Sequence, residues 1–167
     1  MEILEANKDD NFTLWHHLES ERDLLEKELK GKDFRSVFGS QTNALKETNI
    51  IDFSNGTYQY LITKPTIAGS GCNLQEYCNN CVFVGIDYKF NDFIQAIHRF
   101  YRFGQTKPVN VHIIYTNNED EVFETLMRKW EQHKELQSEM IALVKEYGLN
   151  SELIKSQMER QIGRAHV

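Results

Sequence analysis

The stretch Gln95-Ala-Ile-His-Arg-Phe-Tyr-Arg-Phe-Gly-Gln105 sets two arginines, Arg99 and Arg102, inside an apolar pattern. At about 100° per residue, Phe93, Ala96, Ile97, Phe100 and Phe103 fall on one side of a helix, and Gln95, His98, Arg99 and Arg102 on the other. The spacing predicts a packed helix whose two guanidiniums point the same way. Guanidinium is always charged and presents a planar fork of donors that matches phosphate, so such a pair suits a clamp for a phosphoryl group. The same periodicity also describes an amphipathic helix whose arginines simply face water.

Around this segment, short apolar runs alternate with helical patterns. Phe12-Thr-Leu-Trp-His-His17 reads as a strand, and Leu24, Leu25 and Leu29 then repeat at helical spacing over residues 20–30, with Ser20 and Asp23 as a start and Gly31 as a stop. Phe34-Arg-Ser-Val-Phe38 reads as a second strand, ending at Gly39-Ser40-Gln41, and the polar stretch to Asp52 accommodates a short helix. After the Asn55-Gly56 turn come strands at residues 58–63 and 81–86, the double-arginine helix, and a fifth strand at 109–115. Strands alternating with helices, several of them continuously apolar, imply a mostly parallel sheet covered on both faces, a three-layer α/β domain. From Asn118 a long helix is expected, with Val122, Leu126, Trp130, His133, Leu136, Met140, Leu143 and Tyr147 at steps of three and four, and Gly148 ending it.

Thr63-Lys-Pro-Thr-Ile-Ala-Gly-Ser-Gly-Cys-Asn-Leu-Gln75 follows the third strand directly. Gly69 and Gly71 let the backbone approach a ligand closely, and Asn73 with Glu76 can cap a following helical turn whose amides suit an anion. A lone Gly-x-Gly is also an ordinary turn. As a dinucleotide fingerprint it fails, because Leu74 stands at the third glycine position.

Gln95-Ala-x-x-Arg99-x-x-Arg102-x-Gly-Gln105 closely resembles motif VI of superfamily 2 helicases and translocases, with a flavour of remodelling-type ATPases and phage-type helicases. Gly69-x-Gly71-x-Asn73-Leu74 resembles motif V of the same family, in a loop about two residues longer than the common remodeller pattern. The strand at Phe12 with His16 and His17 is similar to motif IV. Gly39-Ser40-Gln41 is similar to the segment that meets the nucleic-acid backbone through small polar groups. The resemblance implies a RecA-like C-terminal lobe of the P-loop NTPase type, in which Arg99 and Arg102 are arginine fingers toward ATP and Mg²⁺ held mainly by another lobe. It further implies that Gly71, Asn73, Gln95 and Gln105 frame the nucleotide side. Gly39, Ser40, Thr63, Lys64 and Gly69 would face nucleic acid, with DNA as the expected strand.

ATP hydrolysis by this machinery needs Gly-x-x-x-x-Gly-Lys-Ser/Thr and an acidic Mg²⁺ site, and neither occurs in the chain. The chain is therefore expected to be an inactive second lobe on its own and to work with an N-terminal RecA-like lobe of the same complete protein. The alternative from another class is a non-catalytic nucleic-acid-binding or interaction module of the same fold.

The 167 residues, 40% of them hydrophobic, suffice for one cored domain, and a net charge of −6 argues against a uniformly basic surface without excluding a local groove. No apolar run approaches a membrane span and no signal peptide opens the chain, so a cytoplasmic location is expected. Cys78-Asn-Asn-Cys81 has half the ligands of a zinc site, and buried thiols are the favoured reading, with no metal site expected. The expected organisation is an extension at 1–11, the lobe at 12–117 and a helical segment at 118–161. Residues 162–167, Ile-Gly-Arg-Ala-His-Val, resemble a translated sequencing adapter, with the true gene product continuing beyond them.

Overall fold

Apolar runs that must bury both faces and pair every backbone group settle into one parallel sheet. A computed structural model describes residues 2–68 and 73–147. Its elements are α1 (Glu2–Ala6), β1 (Phe12–His16), α2 (Glu19–Glu28), β2 (Phe34–Val37), α3 (Asn43–Ser54), β3 (Tyr60–Thr63), β4 (Asn80–Val84), α4 (Phe90–Ile97), β5 (Asn110–Ile114), a 3₁₀ turn (Asn117–Glu119) and α5 (Asp120–Tyr147). The strands form one sheet in the order β2-β3-β1-β4-β5. All four pairings are parallel. Gly69, Gly71, the expected helix stop Gly148 and residues 162–167 lie outside the described residues.

Strand alternation sorts the core into two layers. On one face Phe12, Leu14, Tyr60, Ile62 and Val82 pack with Leu4 of α1 and Leu29, which follows α2. The stretch before Phe12, expected as an extension, thus adds a helix that supplies Leu4 to this core. On the other face Trp15 stacks on Phe83 at 6.2 Å, meets Phe100 edge-on at 6.3 Å, and Phe83 meets Phe93 of α4 at 4.8 Å. These aromatic contacts hold α4 against the sheet, with its polar residue Gln95 exposed.

Several helix ends differ from the sequence reading for one reason: acceptors arrive from further along the chain. The start of α2 is not at Ser20. Glu21 Oε2 accepts from the His17 and Leu18 amides at 2.8 and 2.9 Å, so the helix begins at Glu19. Ahead of α5, Glu119 Oε2 accepts from the Thr116 amide at 2.7 Å, and Glu119 Oε1 from the Ile86 amide at 3.1 Å. Those hydrogen bonds, led by the one from Thr116, hold the Glu119 carboxyl below its usual range. One carboxylate therefore pins the loop after β4 to the start of the last helix.

Contacts group the described residues up to Leu126 into one compact unit and those from Met127 onward into a second. In the first unit Leu126 is buried and Phe123 stacks on Tyr115 at 4.6 Å. In the second, Leu136 and Met140 of the expected apolar stripe are exposed. Cys78 and Cys81 are buried free thiols, and burial pushes Cys78 up to about 11 and Cys81 up as well. Cys72 lies outside the described residues. Phe100 is fully buried against Trp15, so Phe100→Ala should cost about 3–5 kcal/mol in urea unfolding with an unchanged denaturant slope. A loss below about 1 kcal/mol would contradict this packing.

Candidate functional site

Parallel strands end on the same edge, so the register dictates which loops meet. Val37, Thr63, Trp15 and Phe83 lie side by side in four neighbouring strands. The residues just beyond them, Gly39 and Ser40 after β2, Lys64 after β3, His16 at the end of β1 with His17 after it, and Gly85 after β4, therefore share the carboxyl edge. The chain turns to one side of β1 for β2 and β3 and then crosses to the other side for β4. That makes β1 the switch point, where α/β sheets open a crevice.

This edge is built from side chains that brace backbone. Gln41 accepts from the Phe38 amide at 3.1 Å and donates to the Ser36 carbonyl at 3.0 Å, so Gly39 and Ser40 stand exposed on a fixed turn. Lys46 Nζ donates to the Gly39 carbonyl at 3.0 Å. Lys64 is half-buried, and its carbonyl accepts from the Ile67 and Ala68 amides at 3.0 and 3.3 Å, which turns the chain away from the sheet. Thr63 is fully buried, and its Oγ1 has no hydrogen-bond partner. Gly85 adopts φ +74°, a backbone conformation that favours glycine, and a Cβ there would sit 2.5 Å from Glu21 Oε1 and displace that carboxylate. His17 Nδ1 lies 3.4 Å from Asp87 Oδ2.

His16 is fully buried at the end of β1, one position past the Trp15–Thr63 register, which makes Lys64 its neighbour. His16 Nδ1 lies 2.9 Å from the Leu18 carbonyl, which only accepts, so Nδ1 carries the proton and Nε2 is a bare lone pair without a partner. Burial first, then the Lys64 charge, lowers its pKa from 6.5.

The remaining candidates gather at the opposite, amino edge, where α4 delivers its end. The helix does not run through both arginines. After Ile97 the hydrogen bonds tighten, with the Arg99 amide on the Ala96 carbonyl at 3.3 Å and the Phe100 amide on the Ile97 carbonyl at 3.0 Å. A three-residue turn rotates the following side chains off the shared stripe. Arg99 is buried at 7% exposure, whereas Arg102 is exposed. Phe103, expected in the core, is completely exposed, and Tyr101 is 74% exposed.

Arg102 Nη1 donates to Asn73 Oδ1 at 2.6 Å. Asn73 therefore serves as an acceptor for the guanidinium and not as the expected helix cap; residues 75–77 form only a turn. Gln105 Nε2 donates to the Gln75 carbonyl at 3.0 Å, and Gln105 Oε1 accepts from the Lys107 amide at 2.9 Å. The motif-VI-like segment is thus tied to the motif-V-like loop by Arg102 and Gln105. The loop itself starts at Thr63 on the carboxyl edge and ends at Asn80 on the amino edge, so it spans both clusters. The bracing roles of Glu21, Gln41 and Glu119 escaped the sequence reading, which took Gln41 only as part of the segment similar to one that meets nucleic acid. Thr116-x-x-Glu119 carries the capping spacing that could have found the last of them.

A family model described as the helicase conserved C-terminal domain matches residues 2–104. This chain belongs to that family. The helicase C-terminal domain here is 36% identical over 101 residues to the ATP-dependent helicase fft1 of Schizosaccharomyces pombe, a match covering 58% of the chain and 10% of that protein. It therefore spans about a tenth of the length of that curated relative. Among solved structures, the C-terminal part of the Fun30 ATPase domain shares the fold at a TM-score of 0.66 and 23% identity, covering 75% of this chain and 43% of that one. The C-terminal domain of the DEAD-box protein Dbp5 gives 0.60 at 18% identity, covering 72% and 70%. The five-stranded parallel sheet is thus the RecA-like lobe of superfamily 2 helicases.

Because the folded pKa of His16 is depressed, unfolding takes up a proton below about pH 6.5, and stability falls as pH drops through the folded value. Urea midpoints between pH 7.5 and 5 should fall more for the natural chain than for His16→Gln. Equal falls would remove His16 from this role.

Proposed function

We propose that this helicase C-terminal domain is the second motor lobe of an ATP-dependent nucleic-acid helicase or translocase, completed by an N-terminal RecA-like lobe that holds ATP and Mg²⁺. The observation that carries the reading is Arg102: an exposed guanidinium beyond a packed helix, oriented by Asn73 at 2.6 Å. That bond uses one of five N–H donors, and the rest fit phosphoryl oxygens. A neutral carboxamide orients the fork without cancelling its charge, which a carboxylate at the same place would do. Gly71, Asn73, Gln95 and Gln105 are the other nucleotide-side residues in this reading.

ATP supplies the phosphoryl group whose transfer drives the cycle. Arg102 stabilises the charge that develops on that group. Arg99, buried behind the same turn, suits a supporting place unless cleft closure rotates the segment. Among the described residues no group of three or more His, Cys, Asp or Glu is placed to hold a metal.

Gly39, Ser40, Thr63, Lys64 and Gly69 form the nucleic-acid side of the proposal, with DNA as the strand. The exposed Gly39-Ser40 turn and Lys64 suit phosphate contacts, while the buried Thr63 hydroxyl suits a contact made only after the loop moves. The loop joining the two edges would pass nucleotide state to the strand. The proposed segments are the lobe at 12–117, extended by α1, the helical stretch at 118–161, and the adapter-like 162–167. No helix among the described residues is long and apolar enough to cross a membrane.

In the complete protein, Arg102→Ala should lower ATP turnover by about 10³-fold while leaving ATP binding nearly intact, read by steady-state hydrolysis and equilibrium binding. Near-natural turnover would overturn the finger assignment. A complete protein with no hydrolysis at all would favour the binding-module reading.

A further inference from the structure

At the carboxyl edge an unmatched acceptor and an unused donor stand side by side. Phe12 and Leu14 share a core face with Tyr60 and Ile62, so alternation puts His16 and Lys64, two residues further along each chain, on that face as well. They are neighbours across the β1–β3 pair, one step past Trp15 and Thr63. Adjacent strands stand about 4.8 Å apart, a gap that the flexible four-carbon stem of lysine spans.

His16 Nε2 is shut off from water with its lone pair unmatched, and a buried acceptor in that state is costly. The charged groups facing the ring are Glu21 and Arg22 from α2 and Lys64 from the end of β3. From β4 comes its register partner Val84, which is apolar, and the following His17 lies against Asp87. The Glu21 carboxylate accepts from the His17 and Leu18 amides and has no hydrogen to give. Arg22 is committed to Asp23 at 2.8 Å and Glu26 at 3.7 Å, with its guanidinium over the Phe38 ring. The Lys64 ammonium carries three donors, and among the described residues its side chain makes no hydrogen bond or ion pair. Elimination leaves Lys64 as the donor for Nε2.

We propose that the Lys64 ammonium has two seats, an inner one on His16 Nε2 and an outer one on a nucleic-acid phosphate, so that His16 sheathes Lys64 until a strand takes it. The outer seat rests on the nucleic-acid side of the proposed function. An anionic phosphate is a stronger acceptor than a neutral imidazole, so a strand wins the exchange. Burial, and then the Lys64 charge, hold the ring below its ordinary 6.5, which keeps the inner seat open at neutral pH. Acid closes it, because a protonated Nε2 has no lone pair and repels the ammonium.

The test reads the His16 ring nitrogens of the ¹⁵N-labelled 167-residue chain by long-range ¹H–¹⁵N spectra, from about pH 8 to about pH 5. In the natural chain Nε2 should resonate upfield of a bare acceptor nitrogen. Lys64→Met should return it to the bare value and raise the His16 titration midpoint by about one pH unit, since a like charge and a bond to the neutral ring are both removed. Saturating single-stranded oligo-dT should return Nε2 to the bare value in the natural chain, which needs no variant to fold. Lys64→Met should also reduce the salt slope of oligo-dT binding by about 0.7. An Nε2 resonance that Lys64→Met leaves unchanged would overturn the inner seat and the proposal with it. If oligo-dT binds while Nε2 keeps its lysine-bound value, the exchange fails and the nucleic-acid reading stands. If oligo-dT does not bind, both fail.

Discussion

Parallel pairing is the constraint on which this molecule depends. Because every strand runs the same way, each connection must leave by the carboxyl edge and re-enter at the amino edge, and the loops sort into two groups on opposite sides of a rigid sheet. One group collects the small and basic residues Gly39, Ser40 and Lys64 with the buried His16. The other collects Asn73, Arg102 and Gln105. The β3–β4 connection visits both, since it begins at Thr63 and closes at Asn80 after crossing the central strand. On the proposed reading as a second motor lobe, one side meets nucleic acid and the other nucleotide, and this connection is a covalent path between them.

Packing decides how Arg102 is presented. Trp15, Phe83, Phe93 and Phe100 form an aromatic cluster that clamps α4 and the turn behind it. With Phe100 buried, the chain tightens around it, Arg99 is drawn into the body, and Arg102 is left outside on its Asn73 acceptor. Glu119 and Glu21 steady the other end of α4 through the loop at Gly85 and Ile86. The helix is short and held at both ends, so a displacement of one end is transmitted to the other.

The strands were legible from sequence because both faces of a parallel sheet are buried, which leaves apolar runs such as Tyr60–Thr63 and Asn80–Val84. The segments resembling motifs V and VI were legible as patterns and fell beside each other at the amino edge through Arg102 and Gln105. The end of α4 was not legible: Phe100 and Phe103 continue a helical period, and only the tightening of the last turn separates a buried Phe100 from an exposed Phe103. The difference in burial between Arg99 and Arg102 follows from that turn and was not legible either. The α1 helix is too short for periodicity to reveal, and its place is set by Leu4 in the core. Glu21 and Glu119 brace loops brought near only by the fold, so spacing could suggest the Glu119 cap but not the link of either to Gly85 or Ile86. Gly69 and Gly71 lie outside the described residues.

The central claim is that Arg102 reaches across a cleft to a phosphoryl group held by another lobe. The most direct measurement is a crystal structure of the complete protein with a non-hydrolysable ATP analogue. The account places the Arg102 guanidinium within about 3 Å of a γ-phosphoryl oxygen, with Asn73 still beside it. A closed, nucleotide-bound structure in which Arg102 faces solvent or nucleic acid would contradict it.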